Sequence, residues 1–332
     1  MSICQDQGVA GPLPEGVAVL RSLLLPPYVV AIFDLTAKMT TGPLAGIAVS
    51  ATIAIVVGAL LTAPLHPVIV NAVFLVSVGT AMLMYSLLMN ISMIELPLFL
   101  WRIVFNSQSS RYLLLLFWSF NVLASISFGV FVTVRGSSTT IHRKFFHLTS
   151  SLIFLSGLFF DRDFIWLSGW LMLCIFVIIE TFRFFEVPPW EETLNNFLLV
   201  FKDEQDSMLL LTPIYLLLGI WIPLFLSPND KYVHLFHLAG VASVGVGDSI
   251  AAIIGSTYGT TRWPRTRKTV EGSVAMAGSI AVFLIVARFF CSPPYPSYPR
   301  ILFTSLILAA IEAFTVKIDN IALPIVGYLL LQ

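Results

Sequence analysis

The chain has 332 residues, of which 58% are hydrophobic and only 11% charged, and its mean hydropathy is +0.92. Soluble domains carry about 25% charged residues, so a water-soluble globular protein is excluded and a polytopic membrane protein is expected. Basic and acidic residues number 18 each, so net charge offers no pull toward nucleic acid, and the scattered Cys4, Cys174 and Cys291 suggest neither a disulfide framework nor a zinc site.

In chain order, the first sixteen residues hold Gln5, Asp6, Gln7 and Glu15 and lack the basic-then-apolar order of a cleavable signal peptide. Membrane insertion is therefore expected to rely on the spanning segments. A span takes roughly 17–25 apolar residues. Candidate runs lie near residues 44–63, 67–89, 112–134, 145–160, 164–182, 208–226, 235–256, 270–290, 301–316 and 321–331. An eleventh, residues 23–33, is interrupted by Pro26 and Pro27 and reads as interfacial. Residues 94–104 are too short to span and carry Glu95 and Arg102. The fold class expected is an all-α transmembrane bundle of about ten spans whose short loops on one face form the site. Several runs are shorter than a bilayer, so tilt, re-entry or local thinning is expected. There is no convincing internal repeat and no low-complexity tract.

Counting crossings from residues 135–144, the segments 183–207, 257–269 and 317–320 fall on the same side. That side holds Arg135, Arg143, Lys144, Arg183, Lys202, Arg262, Arg265, Arg267, Lys268 and Lys317. The opposite side over the same stretch has Arg162, Lys231 and Arg300, with Arg288 at a span end. The positive-inside rule puts the cation-rich side in the cytosol.

Residues 238–272 concentrate the unusual chemistry. Gly247, Ala251, Gly255 and Gly259 recur every fourth position, a face on which another backbone can approach closely. Asp248 lies about two turns inside the apolar run, where a carboxylate costs on the order of 2.5–3.5 kcal/mol and is a functional candidate by default. Arg262, Arg265, Arg267 and Lys268 follow within seven residues, and then Glu271. On the same side Glu180, Glu312 and Asp319-Asn320 sit in or at the ends of spans, and Asp203-Glu204-Gln205-Asp206 forms a loop cluster. Carboxylates converging near cations suit a magnesium–polyphosphate site, because magnesium takes a few carboxylates and completes its octahedron with phosphate oxygens and water. Phosphoryl transfer asks mainly for positioning and charge neutralisation.

Plainer readings stand beside these. The basic loop also serves as a topology determinant, Trp263 as an interface anchor, and the 203–206 acids as a solvated loop. His234 and His237 read as a solvated helix end beside Asn229, Asp230 and Lys231; His66, between two prolines, reads as a turn. His147 is either a proton carrier or phosphate ligand, or a hydrogen-bonded structural histidine. There is no GxxxxGK[ST], and Gly245-Val246-Gly247 lacks the third glycine of the dinucleotide fingerprint.

From about His142 to the C-terminus the chain resembles the CTP-dependent polyprenol kinases, and within them the members that phosphorylate dolichol. The stretches that carry the resemblance are His142-Arg143-Lys144-Phe145-Phe146-His147-Leu148, Glu180-Thr181-Phe182-Arg183, and Asp203-Glu204-Gln205-Asp206-Ser207. Then come Gly245-Val246-Gly247-Asp248-Ser249-Ile250-Ala251, Arg262-Trp263-Pro264 with Lys268-Thr269-Val270-Glu271-Gly272, Glu312-Ala313-Phe314, and Lys317-Ile318-Asp319-Asn320. The resemblance divides the chain into an N-terminal membrane region, residues 1–134, and a kinase-like catalytic membrane domain, residues 135–332. It implies transfer of the CTP γ-phosphate to the terminal hydroxyl of dolichol in the endoplasmic reticulum membrane, in support of N-glycosylation, with the site facing the cytosol. It also implies that the basic loop from Arg262 to Gly272, including Thr269, Glu271 and Gly272, binds CTP. On that basis Arg265, Arg267 and Lys268 hold the phosphates, assisted by Arg143 and Lys144. Asp248 and Asp319 hold magnesium, with Glu271 as a third candidate ligand. Asp248 or Glu312, ahead of His147, takes the hydroxyl proton. Two positions depart from the family pattern: Arg265 and Arg267 stand where glycine and lysine are expected, which preserves or raises the positive charge. Competing readings are a related CTP-dependent kinase of phytol or diacylglycerol, a transporter of an anionic solute with paired repeats and a midplane site, and an inactive scaffold.

Overall fold

A computed structural model describes residues 41–105, 109–135, 140–198, 208–227, 232–264, 266–315 and 319–332. The run at 23–33, the 203–206 acids, Lys202, Arg265 and Lys317 lie outside them. Among the described residues the fold is all helical, with a single antiparallel bridge between Arg262 and Thr269. The helices are α1 (Thr41–Thr62), α2 (Val68–Met89), α3 (Leu96–Val104), α4 (Ser109–Arg135), α5 (Thr140–Phe160) and α6 (Arg162–Phe184). They continue as α7 (Glu191–Leu198), α8 (Thr212–Leu226), α9 (Asp248–Tyr258), α10 (Val270–Ala287), α11 (Tyr298–Phe314) and α12 (Asp319–Leu331).

Among the described residues, six helical stretches are long and apolar enough to cross a membrane: Thr41–Thr62, Val68–Met89, Arg111–Val132, Arg162–Phe184, Leu235–Tyr258 and Val270–Phe290. α8 and α12 are shorter apolar helices. α12 has 13 residues, and at 1.5 Å per residue it reaches only about 20 Å, well under the roughly 30 Å hydrocarbon core. Backbone groups in lipid have to be paired internally, which explains why the described residues are nearly all helical. Side chains close several helix ends. Asp161 caps α6 by accepting from the Phe164 amide (3.1 Å), Thr269 caps α10 through the Gly272 amide (3.2 Å), and Ser297 caps α11 through the Arg300 amide (3.4 Å).

The bundle is built around the stretch 235–258. It is the most enclosed of the six spans, with 61% of its most apolar part buried against 11% for Val68–Met89. Leu238, Ala239, Ala242 and Val244 interlock there with Ile220 and Leu224 of α8, Met276, Ile280 and Leu284 of α10, Leu308 of α11 and Leu323 of α12. α5 packs against the same stretch, while α1 and α2 form a hairpin that reaches the bundle through α6.

The sequence reads 235–256 as one helix, and here the structure differs. The stretch opens as a 3-10 turn (Leu235–Leu238), passes into a π-helix (Val241–Gly247), and becomes α-helical only at Asp248. Ser243 donates its hydroxyl to the Ala239 carbonyl (2.7 Å), competing with the ordinary ladder, and Gly245 and Gly247 tolerate the wider turn. Such π segments occur disproportionately at functional sites. The fourfold small-residue spacing serves as anticipated in the α9 part. A Cβ on Gly272 would meet the Ala251 carbonyl at 3.0 Å, and one on Gly255 would meet Thr269 Oγ1 at 2.9 Å, so α9 and α10 touch almost backbone to backbone.

The expected solvated end at His234 and His237 is also corrected. His237 is fully buried: its Nδ1 accepts from the His234 amide (2.9 Å) and its Nε2 lies 2.9 Å from Arg162. Arg162 further donates to the carbonyls of Ser227 (2.8 Å) and Tyr232 (3.0 Å), tying the chain after α8 back to the start of α6.

Candidate active site

Five elements deliver charged side chains to one end of the bundle. The first turns of α5 supply Lys144 and His147, the π-to-α junction supplies Asp248, and the segment before α10 supplies Lys268. The end of α11 supplies Glu312, and the start of α12 supplies Asp319. Lys268 Nζ is 2.7 Å from Glu312 Oε1, donates to the Glu312 carbonyl at 2.7 Å, and lies 3.3 Å from Asp319 Oδ2. Lys144 forms an ion pair with Asp248, whose Oδ2 is also 3.5 Å from His147 Nε2. Asp248 is within electrostatic reach of Lys268, so the two ion pairs make one cluster.

The lysines explain how three carboxylates coexist here. Glu312 is only 5% exposed, and breaking a buried ion pair by removing one partner costs about 3–5 kcal/mol. Burial by itself would lower the Lys268 pKa, but Glu312 first, then Asp319 and Asp248, outweigh it and hold the ammonium above its ordinary 10.5. A raised lysine is fully charged below its ordinary value and loses its stabilising role only as pH climbs past the raised one. At neutral pH this site therefore presents a complete cation.

The basic loop is a fastened hairpin. The Trp263 amide donates to the Lys268 carbonyl (3.0 Å) and the Val270 amide to the Thr261 carbonyl (2.8 Å). Trp263 donates its indole N–H to Ser273 Oγ (3.0 Å), and its ring lies 5.5 Å from that of Phe314. Glu271 accepts from the Thr260 hydroxyl (2.6 Å) and the Thr261 amide (3.0 Å), so its carboxylate closes the hairpin. Thr269 and Gly272 lie at the α9–α10 junction, while Arg262 and Arg267 are exposed. Arg143 contributes its carbonyl, 3.1 Å from His147 Nδ1.

Of the residues singled out from sequence, Asp248, His147 and Lys144 meet one another, as do Lys268, Glu312 and Asp319. Glu180 is engaged elsewhere: it accepts from Arg183 (2.7 and 2.6 Å) and from the Leu210 amide (2.7 Å). Among the described residues no group of three His, Cys, Asp or Glu side chains is arranged to hold a metal by itself. Asp248 and Asp319 are hard oxygen donors of the kind magnesium shares with phosphate oxygens, so they fit a metal that arrives with a polyphosphate. The sequence reading passed over Ser151, one turn beyond His147 on the face of α5 that meets the π-helix. Its signal was the i, i+4 spacing.

The family model for dolichol kinase matches residues 31–215, more than half of the chain. The chain belongs to the dolichol kinase family. It is 36% identical over 253 residues to the dolichol kinase of Homo sapiens, a match covering 70% of this chain and 47% of that protein. It is 32% identical over 246 residues to dolichol kinase EVAN of Arabidopsis thaliana (70% and 42%) and 29% identical over 236 residues to the dolichol kinase of Saccharomyces cerevisiae (69% and 44%). The chain thus spans about half the length of the curated relatives it matches. The family-model match begins well before residue 134, so family likeness extends into the N-terminal region where the sequence motifs were silent. No solved structure matches significantly.

Proposed function

We propose that this chain carries the phosphoryl-transfer site of a dolichol kinase, moving the γ-phosphate of CTP to the terminal hydroxyl of dolichol. The observation that carries the reading is the meeting of Lys268 with Glu312 and Asp319 beside the Lys144–Asp248 pair. Acids drawn from α9, α11 and α12 face a fastened basic hairpin at helix ends, where a water-borne nucleotide and a membrane alcohol can meet. A transporter would call for paired repeats around a midplane site. This cluster is formed instead chiefly at helix ends, by the start of α5, the end of α11 and the start of α12, with Asp248 reaching it from the π-to-α junction.

In this reading the exposed Arg262 and Arg267, with Arg265 between them, receive the triphosphate, and Lys268 and Lys144 exchange carboxylate for phosphate oxygens as it arrives. Asp248 and Asp319 would hold magnesium, which would supply charge neutralisation on the phosphates. Released from its lysine, Asp248 or Glu312 accepts the proton of the attacking hydroxyl, whose oxygen bonds to the γ-phosphorus while CDP departs. Glu271 is reserved for holding the hairpin. In the endoplasmic reticulum membrane the site would face the cytosol, a reading that the cation bias of its loops supports.

Expression of Asp248→Asn and Lys268→Ala in cells lacking dolichol kinase tests the assignment. Wild-type chain restores growth and dolichyl phosphate, and neither variant does. Full complementation by either variant removes that residue from the mechanism.

A further inference from the structure

The α5–π-helix seam contains two buried polar atoms that the kinase reading leaves unused. His147 and Ser151 lie one turn apart on α5, so their side chains address the same neighbour. His147 Nε2 is 3.5 Å from Asp248 Oδ2, and Ser151 Oγ sits against Gly245, in the place a Cβ there would occupy. Each residue is only 5% exposed, yet neither Nε2 nor Oγ makes a hydrogen bond. Other serines of this chain return their hydroxyl to the carbonyl four residues back, as Ser50, Ser125, Ser168 and Ser243 do; Ser151 does not. His147 Nδ1 faces the Arg143 carbonyl and so holds the ring proton, which makes Nε2 of the neutral ring an acceptor. It confronts a carboxylate oxygen, leaving two acceptors with no hydrogen between them. A group that both donates and accepts would complete the set, and a hydroxyl is the smallest that does.

We infer that His147 Nε2 and Ser151 Oγ form the subsite for the acceptor alcohol. The lipid O–H donates to His147 Nε2 as the alcohol binds and its oxygen accepts from the Ser151 hydroxyl; the hydrogen then turns to the neighbouring Asp248 carboxylate, 3.5 Å from Nε2, as the oxygen–phosphorus bond forms. The inference rests on the kinase reading and deepens it. Leu148 and Leu152, each one position further along the same turns of α5, are 53% and 38% exposed and give an apolar flank on which the tail can lie. Gly245 is required for the arrangement, since any larger residue displaces the Ser151 hydroxyl.

The test uses the full chain in liposomes, with dolichol and CTP varied independently. Ser151→Ala is expected to raise the KM for dolichol about fivefold, the worth of one net hydrogen bond of about 1 kcal/mol. The KM for CTP stays within about twofold, and the thermal midpoint does not fall, because an unpaired buried hydroxyl has been removed. His147→Gln is expected to raise the dolichol KM in the same selective way. An unchanged dolichol KM in Ser151→Ala, as when water alone fills the seam, overturns the inference, and so does an equal rise in both KM values. If wild-type chain transfers no phosphate, the kinase reading fails and takes the inference with it. If it is active while Ser151→Ala is indistinguishable from it, only the inference fails.

Discussion

Lys268 is the residue on which the cluster turns, because one ammonium satisfies a buried carboxylate, a carbonyl and a second carboxylate. Its removal strands Glu312. Lys268→Met is therefore expected to cost about 3–5 kcal/mol, whereas Lys268→Met combined with Glu312→Gln recovers much of that loss. Thermal unfolding of the two single variants and the double variant in detergent measures the coupling, and strictly additive effects would contradict the ion pair. The sequence revealed these residues as anomalies, since an acid in an apolar run is conspicuous whatever its partner. It did not reveal who pairs with whom. Lys268 and Asp319 are 51 positions apart, and only the packing of α10, α11 and α12 joins them. Glu271 and Glu180 are equally conspicuous, and local donors reach both: Thr260 and Thr261 in one case, Arg183 and Leu210 in the other.

At the scale of elements, the position of Asp319 depends on how closely the start of α12 docks on α8. The first residues of α12 rest against the middle of α8, where Gly219 has no side chain and the Asn320 carbonyl takes its place. Gly219→Ala forces that contact apart, shifting the carboxylate that Lys268 holds. Overpacking of this kind costs about 1–3 kcal/mol. The variant is expected to remain folded but to lose at least about tenfold in turnover, a loss of about 1.4 kcal/mol in transition-state stabilisation. Wild-type turnover in a Gly219→Ala protein would show that α12 tolerates displacement. Hydropathy found most of the helices, because period and apolarity are local properties. It missed the 3-10 and π turns before Asp248, where Gly240 packs on the α8 backbone and Gly245 and Gly247 meet the Ser151 and Ile280 side chains. No apolar pattern encodes those contacts.

For the molecule as a whole, membrane class and the grouping of helix ends were legible from composition and loop charge, while the depth of each span was not. Orientation is open to a direct check, since the described cysteines, Cys174 and Cys291, are buried. In a Cys4→Ser background, Tyr258→Cys on the hairpin side is expected to react with an impermeant maleimide in sealed microsomes. Tyr232→Cys, at the opposite end and similarly exposed, is expected to react only after permeabilisation. The reverse pattern would turn the site toward the lumen. The most direct test of the central claim is transfer of label from γ-32P CTP to dolichol by the purified chain in liposomes, run alongside Asp248→Asn and Lys268→Ala. The account predicts labelled dolichyl phosphate from wild type and at least about a hundredfold less from each variant, equivalent to about 2.7 kcal/mol of lost transition-state stabilisation. Undiminished labelling by either variant would contradict it.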